Sequence, residues 1–197
     1  MSAYNEHLRE AIRLFETLSE LETPLRTAAG CCVEALSAGH KLLLCGNGGS
    51  SAQAQHLAAE LMGRYKDYRR PLAVVALTAD TAVLTCVGND YSFEEVFARQ
   101  VRALGRPGDV LVVFSTSGNS PNILAALVAA REIGLKSVAF LGCAGGKAGE
   151  MADCPLIVRH ADTARAQEGH QFLIHALMDE IEAGLAGREK FRLAPGS

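Results

Sequence analysis

The order of apolar and polar positions along the chain predicts helices that alternate with short buried strands. Residues 4–22 carry apolar side chains at close to helical spacing. A second helix is predicted from Pro24, which suits a first helical turn, to Ala38, where Gly39 can end it. Five apolar runs predict strands: 41–46, 72–77, 109–114, 136–142 and 155–160. Further helices are predicted at 51–64, at 80–104 with a break at 88–92, at 121–133 and at 164–187, with a short helix after the fourth strand.

This alternation indicates an α/β fold, in which a five-stranded parallel sheet is flanked by helices in a three-layer sandwich. We expect residues 1–197 to form a single domain, with residues 1–38 as a helical extension and residues 39–187 as the α/β core. The two leading helices are more than are needed to cover one small sheet. Their apolar stripes therefore predict a helical bundle formed between subunits.

Composition and charge exclude several classes of function. The formal net charge is -3 and 49% of residues are hydrophobic, so no basic excess marks a nucleic-acid or anionic-membrane surface. No apolar run approaches the length of a bilayer span, and the first residues are too polar for a secretory signal. We therefore expect a cytoplasmic protein with neither nucleic-acid nor membrane partners. The cysteines form no C-x-x-C pair, which disfavours a zinc knuckle.

The first candidate binding feature is the glycine loop, Gly46–Ser51, with sequence GNGGSS, which follows the first strand. Glycines permit unusual backbone conformations and let a ligand approach closely. The loop resembles the dinucleotide fingerprint G-x-G-x-x-G, but Ser51 occupies the third position and the expected acidic residue after the second strand is absent. A ligand loop, a plain tight turn and a dinucleotide site all remain open, and the last is disfavoured.

The second candidate is the serine loop, Ser115–Ser120, with sequence STSGNS, between the third strand and a helix that starts at Pro121. A helix N-terminus offers free N–H groups and a partial positive charge that favour phosphate. Four hydroxyls can add hydrogen bonds, whereas helix capping alone needs one. They belong to Ser115, Thr116, Ser117 and Ser120. The loop contains no Lys or Arg, so it predicts a site for a small phosphomonoester and not a nucleotide P-loop.

Candidate chemistry lies on two helices. His56 and Glu60 stand at i and i+4 on one face of the helix after the glycine loop. On the last helix, Gln167, Gln171 and His175 share a stripe. Two histidines, a glutamate and a glutamine could ligate zinc, but an acid–base pair needs no metal, and Gln167 and His175 stand about 12 Å apart along a straight helix. The spacing leaves both interpretations open.

Four segments together resemble the phosphoheptose isomerase family of the sugar-isomerase (SIS) domain superfamily. They are CGNGGSSAQAQHLAAEL, GNDYSFEEVFARQVRALGRPGDVL, STSGNSPNIL and QEGHQFLIH. The likeness runs from about Leu8 to Leu185, and the motifs are specific in combination. It implies a homotetramer with active sites at subunit interfaces. It also implies conversion of sedoheptulose 7-phosphate to D-glycero-D-manno-heptose 7-phosphate, which opens the route to nucleotide-activated heptoses for lipopolysaccharide core or other surface glycans.

The resemblance also implies roles for individual residues. Glu60 and His175 match the catalytic pair, and Gln167 joins the substrate site. Matches to the other sugar and phosphate contacts are Asn47, Gly48, Gly49, Asn89, Asp90, Ser115, Thr116, Ser117 and Ser120. Matches to the family's zinc positions, with one zinc ion per subunit, are His56, Glu60, Gln167 and His175. Asp162 lies in a variable segment and corresponds loosely to an acidic residue near the pocket.

These residues suggest a cis-enediol route in which Glu60 moves the proton between C1 and C2 and His175 acts as its partner. Three alternatives compete with that hypothesis. A non-catalytic SIS module could bind a sugar phosphate or a protein partner, as does a related bacterial protein that associates with the replication initiator. The chain could also isomerise another sugar phosphate, or be an NAD-dependent enzyme, which Ser51 disfavours.

Overall fold

The fold is built on a parallel five-stranded sheet. The structure is a computed structural model that describes residues 2–66 and 68–186. Its strands are β1 (Leu42–Gly46), β2 (Val74–Ala76), β3 (Val110–Ser115), β4 (Lys136–Leu141) and β5 (Cys154–Ile157). All neighbouring strands pair in parallel, in the order β2-β1-β3-β4-β5. The predicted five-stranded parallel sheet is confirmed.

Eight α-helices surround the sheet in the described part of the chain. They are α1 (Ala3–Thr17), α2 (Glu22–Ala38), α3 (Gly49–Met62), α4 (Thr81–Asp90), α5 (Ala98–Leu104), α6 (Pro121–Ile133), α7 (Gly146–Met151) and α8 (Thr163–Ala186). Gly39 ends α2 in the left-handed conformation, as its position predicted. No helix within residues 2–66 and 68–186 has the length and apolar character required to cross a membrane.

Several predicted boundaries were wrong. The predicted helix 4–22 is divided, because α1 ends at Thr17 and a 3₁₀ turn over Leu18–Leu21 leads directly into α2. The predicted break at 88–92 falls later, since α4 continues through Asp90. The helix after the glycine loop starts at Gly49, inside the loop itself. Glycine and asparagine are weak helix formers, so their intrinsic preference suggested breaks that tertiary packing overrides.

Two apolar layers cover the two faces of the sheet. One core cluster packs residues from α1, α2, α3 and α8 against the sheet, and the other packs residues from α4, α5, α6 and α7. The predicted three-layer sandwich is confirmed. β1 and β3 are neighbours whose following helices, α3 and α6, lie on opposite faces, so the topological switch point of the sheet lies at their carboxyl ends. Ligands of open parallel sheets bind at this switch point.

Candidate active site

The glycine loop at the end of β1 needs its glycines for two different reasons. Gly48 has φ +56° and ψ −121°, a conformation that side chains disfavour. A Cβ on Gly46 would lie 2.6 Å from the Ser50 carbonyl oxygen, so the chain is tightly folded there. Gly48 precedes α3 and offers no side-chain cap. The exposed backbone at this turn is therefore open to a ligand.

The serine loop gathers hydroxyls at the start of α6. The Gly118 N–H donates to Ser115 Oγ (3.1 Å), and the Asn119 N–H donates to Ser117 Oγ (3.1 Å). Ser115 Oγ and Ser120 Oγ lie 3.5 Å apart. Ser120 precedes α6 but its hydroxyl makes no capping hydrogen bond, so capping does not explain it. Hydroxyls beside an uncapped helix N-terminus have the chemistry that a phosphate group requires.

Side-chain amides join the two loops. Asn47 Nδ2 donates to Asn122 Oδ1 (2.9 Å), and Asn122 Nδ2 donates back to Asn47 Oδ1 (2.8 Å). Asn47 belongs to the glycine loop, and Asn122 lies in the first turn of α6. This pair thus links the predicted sugar-binding loop to the first turn of α6, directly after the predicted phosphate-binding loop.

The predicted residues of α3 and α8 meet where these helices pack together. The rings of His56 and His175 have centroids 5.4 Å apart, edge to face. Gln53 Nε2 donates to the Gln167 carbonyl (2.7 Å) and ties the helices one turn nearer the loop. A Cβ added to Gly49 would lie 2.6 Å from Gln167 Nε2, so the Gln167 amide lies directly against the glycine loop. The candidate chemistry is therefore adjacent to the candidate sugar loop.

The donor set suits zinc in its chemistry, with two imidazoles, a carboxylate and an amide oxygen. His56 Nε2 is buried and makes no hydrogen bond within the described residues, which leaves a lone pair or a proton without a partner. However, no group of three His, Cys, Asp or Glu side chains among residues 2–66 and 68–186 is gathered closely enough to hold a metal. His56 and His175 meet between α3 and α8, and Gln167 lies on α8 against Gly49, but the four candidate ligands do not form a closed coordination shell among the described residues.

Glu60 stands at the carboxyl end of α3, where a buried arginine fixes the backbone. Arg69 donates from Nη2 to the Glu60 carbonyl (3.0 Å) and from Nη1 to the Leu61 carbonyl (2.8 Å). It also pairs with Glu182 of α8 at 2.9 Å, and both side chains are 5% exposed. A buried arginine needs such a full set of partners. The half-buried Glu60 side chain is thus carried by a rigid helix end.

Asn89 and Asp90 do not join the two loops through any hydrogen bond in the described structure. Both are exposed in the last turn of α4, where Asn89 Nδ2 donates to Asp90 Oδ1 (2.8 Å). That bond and the Cys86 thiol lower the pKa of Asp90.

Asp162 has a structural role, because its carboxylate accepts a hydrogen bond from the Ala164 N–H (2.7 Å) at the start of α8. The pocket role that the sequence suggested for Asp162 has no support in this arrangement.

Several residues around the site were missed by sequence reasoning. Besides Asn122 and Arg69, Gln171 places Nε2 3.2 Å from His175 Nε2, and the Tyr65 ring stacks on His175 with centroids 6.0 Å apart. Gln171 was noted on the polar stripe, but no partner could be named for it. Asn122 carried a usable signal, because an amide in the first turn of an apolar helix needs a partner when it is buried.

Comparisons with known proteins agree with this geometry. Residues 4–142 match the family model of the SIS domain. The chain is 49% identical to a phosphoheptose isomerase of Bordetella avium, over 94% of this chain and 96% of that protein. It is 52% identical to one of Paramagnetospirillum magneticum, over 85% of this chain and 87% of that protein. A solved phosphoheptose isomerase, GmhA from Neisseria gonorrhoeae, superposes with a TM-score of 0.87 at 47% identity, covering 91% of this chain and 97% of that one. The chain belongs to the SIS domain family and, within it, to the phosphoheptose isomerases.

Proposed function

We propose that this protein is an aldose–ketose isomerase that converts sedoheptulose 7-phosphate to D-glycero-D-manno-heptose 7-phosphate, in the first step of nucleotide-activated heptose biosynthesis. The relatives of about half identity carry that enzyme's name and not that of a non-catalytic binding module. One structural observation carries the proposal. His56 and His175 meet where α3 packs on α8, Gln167 of α8 lies against the glycine loop, and that loop is bonded to Asn122, which follows the serine loop in α6.

The serine loop holds the phosphate in this mechanism, and the glycine loop faces the sugar. Hydroxyls of Ser115, Thr116, Ser117 and Ser120 bind the phosphate oxygens, while Asn47, Gly48 and Gly49 contact the sugar, with Gln167, Asn89 and Asp90 completing the pocket. Binding energy from the distant phosphate positions the reacting carbons and is realised in kcat.

The reaction requires one proton to move between adjacent carbons. Glu60 removes the proton from C1 of the ketose, the electron pair forms the C1–C2 double bond, and negative charge develops on the C2 oxygen. His175 protonates that oxygen to give the enediol and takes the proton from the C1 hydroxyl. Glu60 then returns its proton to C2, which leaves the aldehyde at C1. Each such group contributes typically 10²- to 10⁴-fold in rate.

We also propose that His56, Glu60, Gln167 and His175 would hold one zinc ion per subunit, and that Glu60 leaves the metal when substrate binds, because a ligated carboxylate is a weak base. The ion would supply Lewis-acid stabilisation of negative charge on the sugar oxygens. Support comes from the donor chemistry and from the buried, unpartnered Nε2 of His56. Titration of the metal-free protein with zinc should raise its unfolding temperature, and His56→Ala should abolish that shift. An equal shift in both proteins would contradict the assignment.

A homotetramer with active sites at subunit interfaces is the assembly we propose. Apolar side chains line the outer face of α1 at helical spacing and are exposed in one chain. They are Tyr4, Leu8, Ile12 and Phe15. Phe172 of α8 is exposed too and packs edge to face on Phe15, with centroids 5.6 Å apart. Such a stripe indicates a surface that a second copy covers.

The expected cytoplasmic location stays a prediction.

Turnover of sedoheptulose 7-phosphate, followed by NMR with metal-free and zinc-loaded protein, tests the function directly. We expect the aldose phosphate to form with the wild type. Glu60→Gln should lower turnover by 10²-fold or more but retain binding of the sugar phosphate. The control Glu34→Gln changes an exposed carboxylate on α2 and should leave turnover unchanged. Full activity of Glu60→Gln would contradict the mechanism, and absence of product in every sample would contradict the function.

A further inference from the structure

Asn122 is a buried residue of the STSGNSPNIL segment to which neither the resemblance nor the proposed chemistry gives a role. It is 2% exposed and lies directly after the serine loop, at the second position of α6. Its amide and that of Asn47 form a cyclic pair, in which each donates to the other at 2.9 and 2.8 Å. Each amide is therefore both donor and acceptor in the same contact.

A cyclic amide pair restricts geometry more than a single hydrogen bond does. Two antiparallel bonds require the two amide groups to lie edge to edge, close to one plane, in one orientation and at one spacing. The loops that carry them leave neighbouring strands, β1 and β3, for opposite faces of the sheet. Beyond the strand ends, the pair is thus a direct link that sets the distance between the loops.

We propose that Asn122 is a positioning residue for the isomerisation. The inference rests on the proposed function, which assigns the sugar to the glycine loop and the phosphate to the serine loop. Asn122 touches Asn47 and holds the two loops at a fixed separation, so that a substrate gripped by its phosphate presents C1 and C2 to Glu60 and His175. A loose separation would leave phosphate binding intact and lower the rate, because small misplacements of reacting atoms reduce catalysis strongly.

Kinetics of single and double variants test this coupling. We expect Asn122→Ala to lower kcat by roughly tenfold while competitive inhibition by inorganic phosphate changes less than twofold. Adding Asn122→Ala to Asn47→Ala should produce less than a twofold further loss, since Asn122 acts through Asn47. A further tenfold loss in the double variant, or a parallel loss of phosphate inhibition, would overturn the inference.

A matched control separates positioning from loss of stability. Gln100 is also a buried amide, and it donates to the carbonyls of Leu77 (2.9 Å) and Val96 (2.8 Å), away from both loops. Gln100→Ala should lower the unfolding temperature but leave kcat/KM within twofold of the wild type. A loss of kcat in Gln100→Ala equal to that in Asn122→Ala would show that destabilisation alone explains both, and would overturn the inference.

The isosteric variant Asn122→Asp covers the case in which the alanine variant fails to fold. A carboxylate at this position accepts from Asn47 Nδ2 but sets its other oxygen against Asn47 Oδ1, and protonation restores a donor there. The kcat/KM of this variant at pH 8 should therefore fall roughly tenfold, as in Asn122→Ala, because the second half of the cyclic pair is lost. An unchanged kcat/KM would overturn the inference.

Calorimetry distinguishes this inference from the proposed function. An inactive wild type would contradict the function, whereas the positioning role predicts a binding difference that needs no turnover. Asn122→Ala should bind sedoheptulose 7-phosphate roughly tenfold more weakly and inorganic phosphate with unchanged affinity, because only the larger ligand spans both loops. Equal losses for the two ligands, or no loss for either, would overturn it.

Discussion

His170 and His175 both belong to α8 but have opposite surroundings. They project about 140° apart around the helix axis. His175 is half-buried on the face toward α3, close to His56, Tyr65 and Gln171. His170 has no exposed surface and sits on the sheet side, with its ring centroid 6.1 Å from that of Phe140.

The surroundings decide what each imidazole can do. Neither ring nitrogen of His170 has a hydrogen-bond partner in the described structure, and the Leu141 carbonyl contributes only a weak interaction. Burial lowers the pKa of His170 to about 4, although that carbonyl opposes the shift. His170 is therefore a neutral core residue at pH 7, whereas His175 contacts the polar side chains of Gln171, His56 and Tyr65. A histidine on a motif-bearing helix is functional only where partners converge on it.

The largest expected difference is in catalysis. His175→Asn should reduce kcat/KM for sedoheptulose 7-phosphate by 10²- to 10⁴-fold, because it removes the group proposed to transfer protons. His170→Leu, of similar volume, should keep kcat/KM within about threefold, since it touches the core alone. Steady-state assays on the two variants measure the contrast. A larger loss in His170→Leu than in His175→Asn would break the comparison.

The next largest expected effect is on the pH dependence of stability, and it comes from His170. The folded pKa of His170, about 4, lies below the unfolded value of about 6.5, so the folded state binds fewer protons between those values. The stability it contributes is complete above pH 6.5 and is lost as the pH falls toward 4, by about 3 kcal/mol in total.

Denaturant unfolding at several pH values checks this. His170→Leu should lose less stability than the wild type between pH 7 and pH 4, because it lacks the buried imidazole that must take up a proton on unfolding. Identical curves for His170→Leu and the wild type would show that His170 does not contribute to acid sensitivity.

The smallest effect concerns the neighbour of His175. Gln171→Leu removes the amide 3.2 Å from His175 Nε2, and a net loss of about 1 kcal/mol corresponds to roughly fivefold in kcat/KM. The matched control is Gln55→Leu, an exposed position on α3 whose amide reaches Thr78. If both variants lose activity equally, Gln171 does not orient His175.

The sequence predicted the sheet, the three layers and both loops because these depend on local signals, namely apolar runs and glycine or serine clusters before helices. It did not predict the different surroundings of His170 and His175, since both belong to the segment QEGHQFLIH and only tertiary packing places His170 against Phe114 and Phe140. The Asn47–Asn122 pair and the Arg69–Glu182 pair join residues far apart along the chain, which periodicity and spacing cannot reveal. The low helix propensity of glycine and asparagine also led to a wrong prediction for the end of α4, because tertiary contacts extend that helix through Asp90.

The contact between Gly49 and Gln167 has a consequence for the evolutionary record of such chains. A side chain at Gly49 would meet only the far end of a flexible glutamine, 2.6 Å away, so the fold would accept it by moving that amide. Selection for folding alone would therefore not preserve this glycine, whereas selection for the substrate and metal roles proposed for Gln167 would. In lineages that kept the architecture and lost the chemistry, we expect the two positions to drift together.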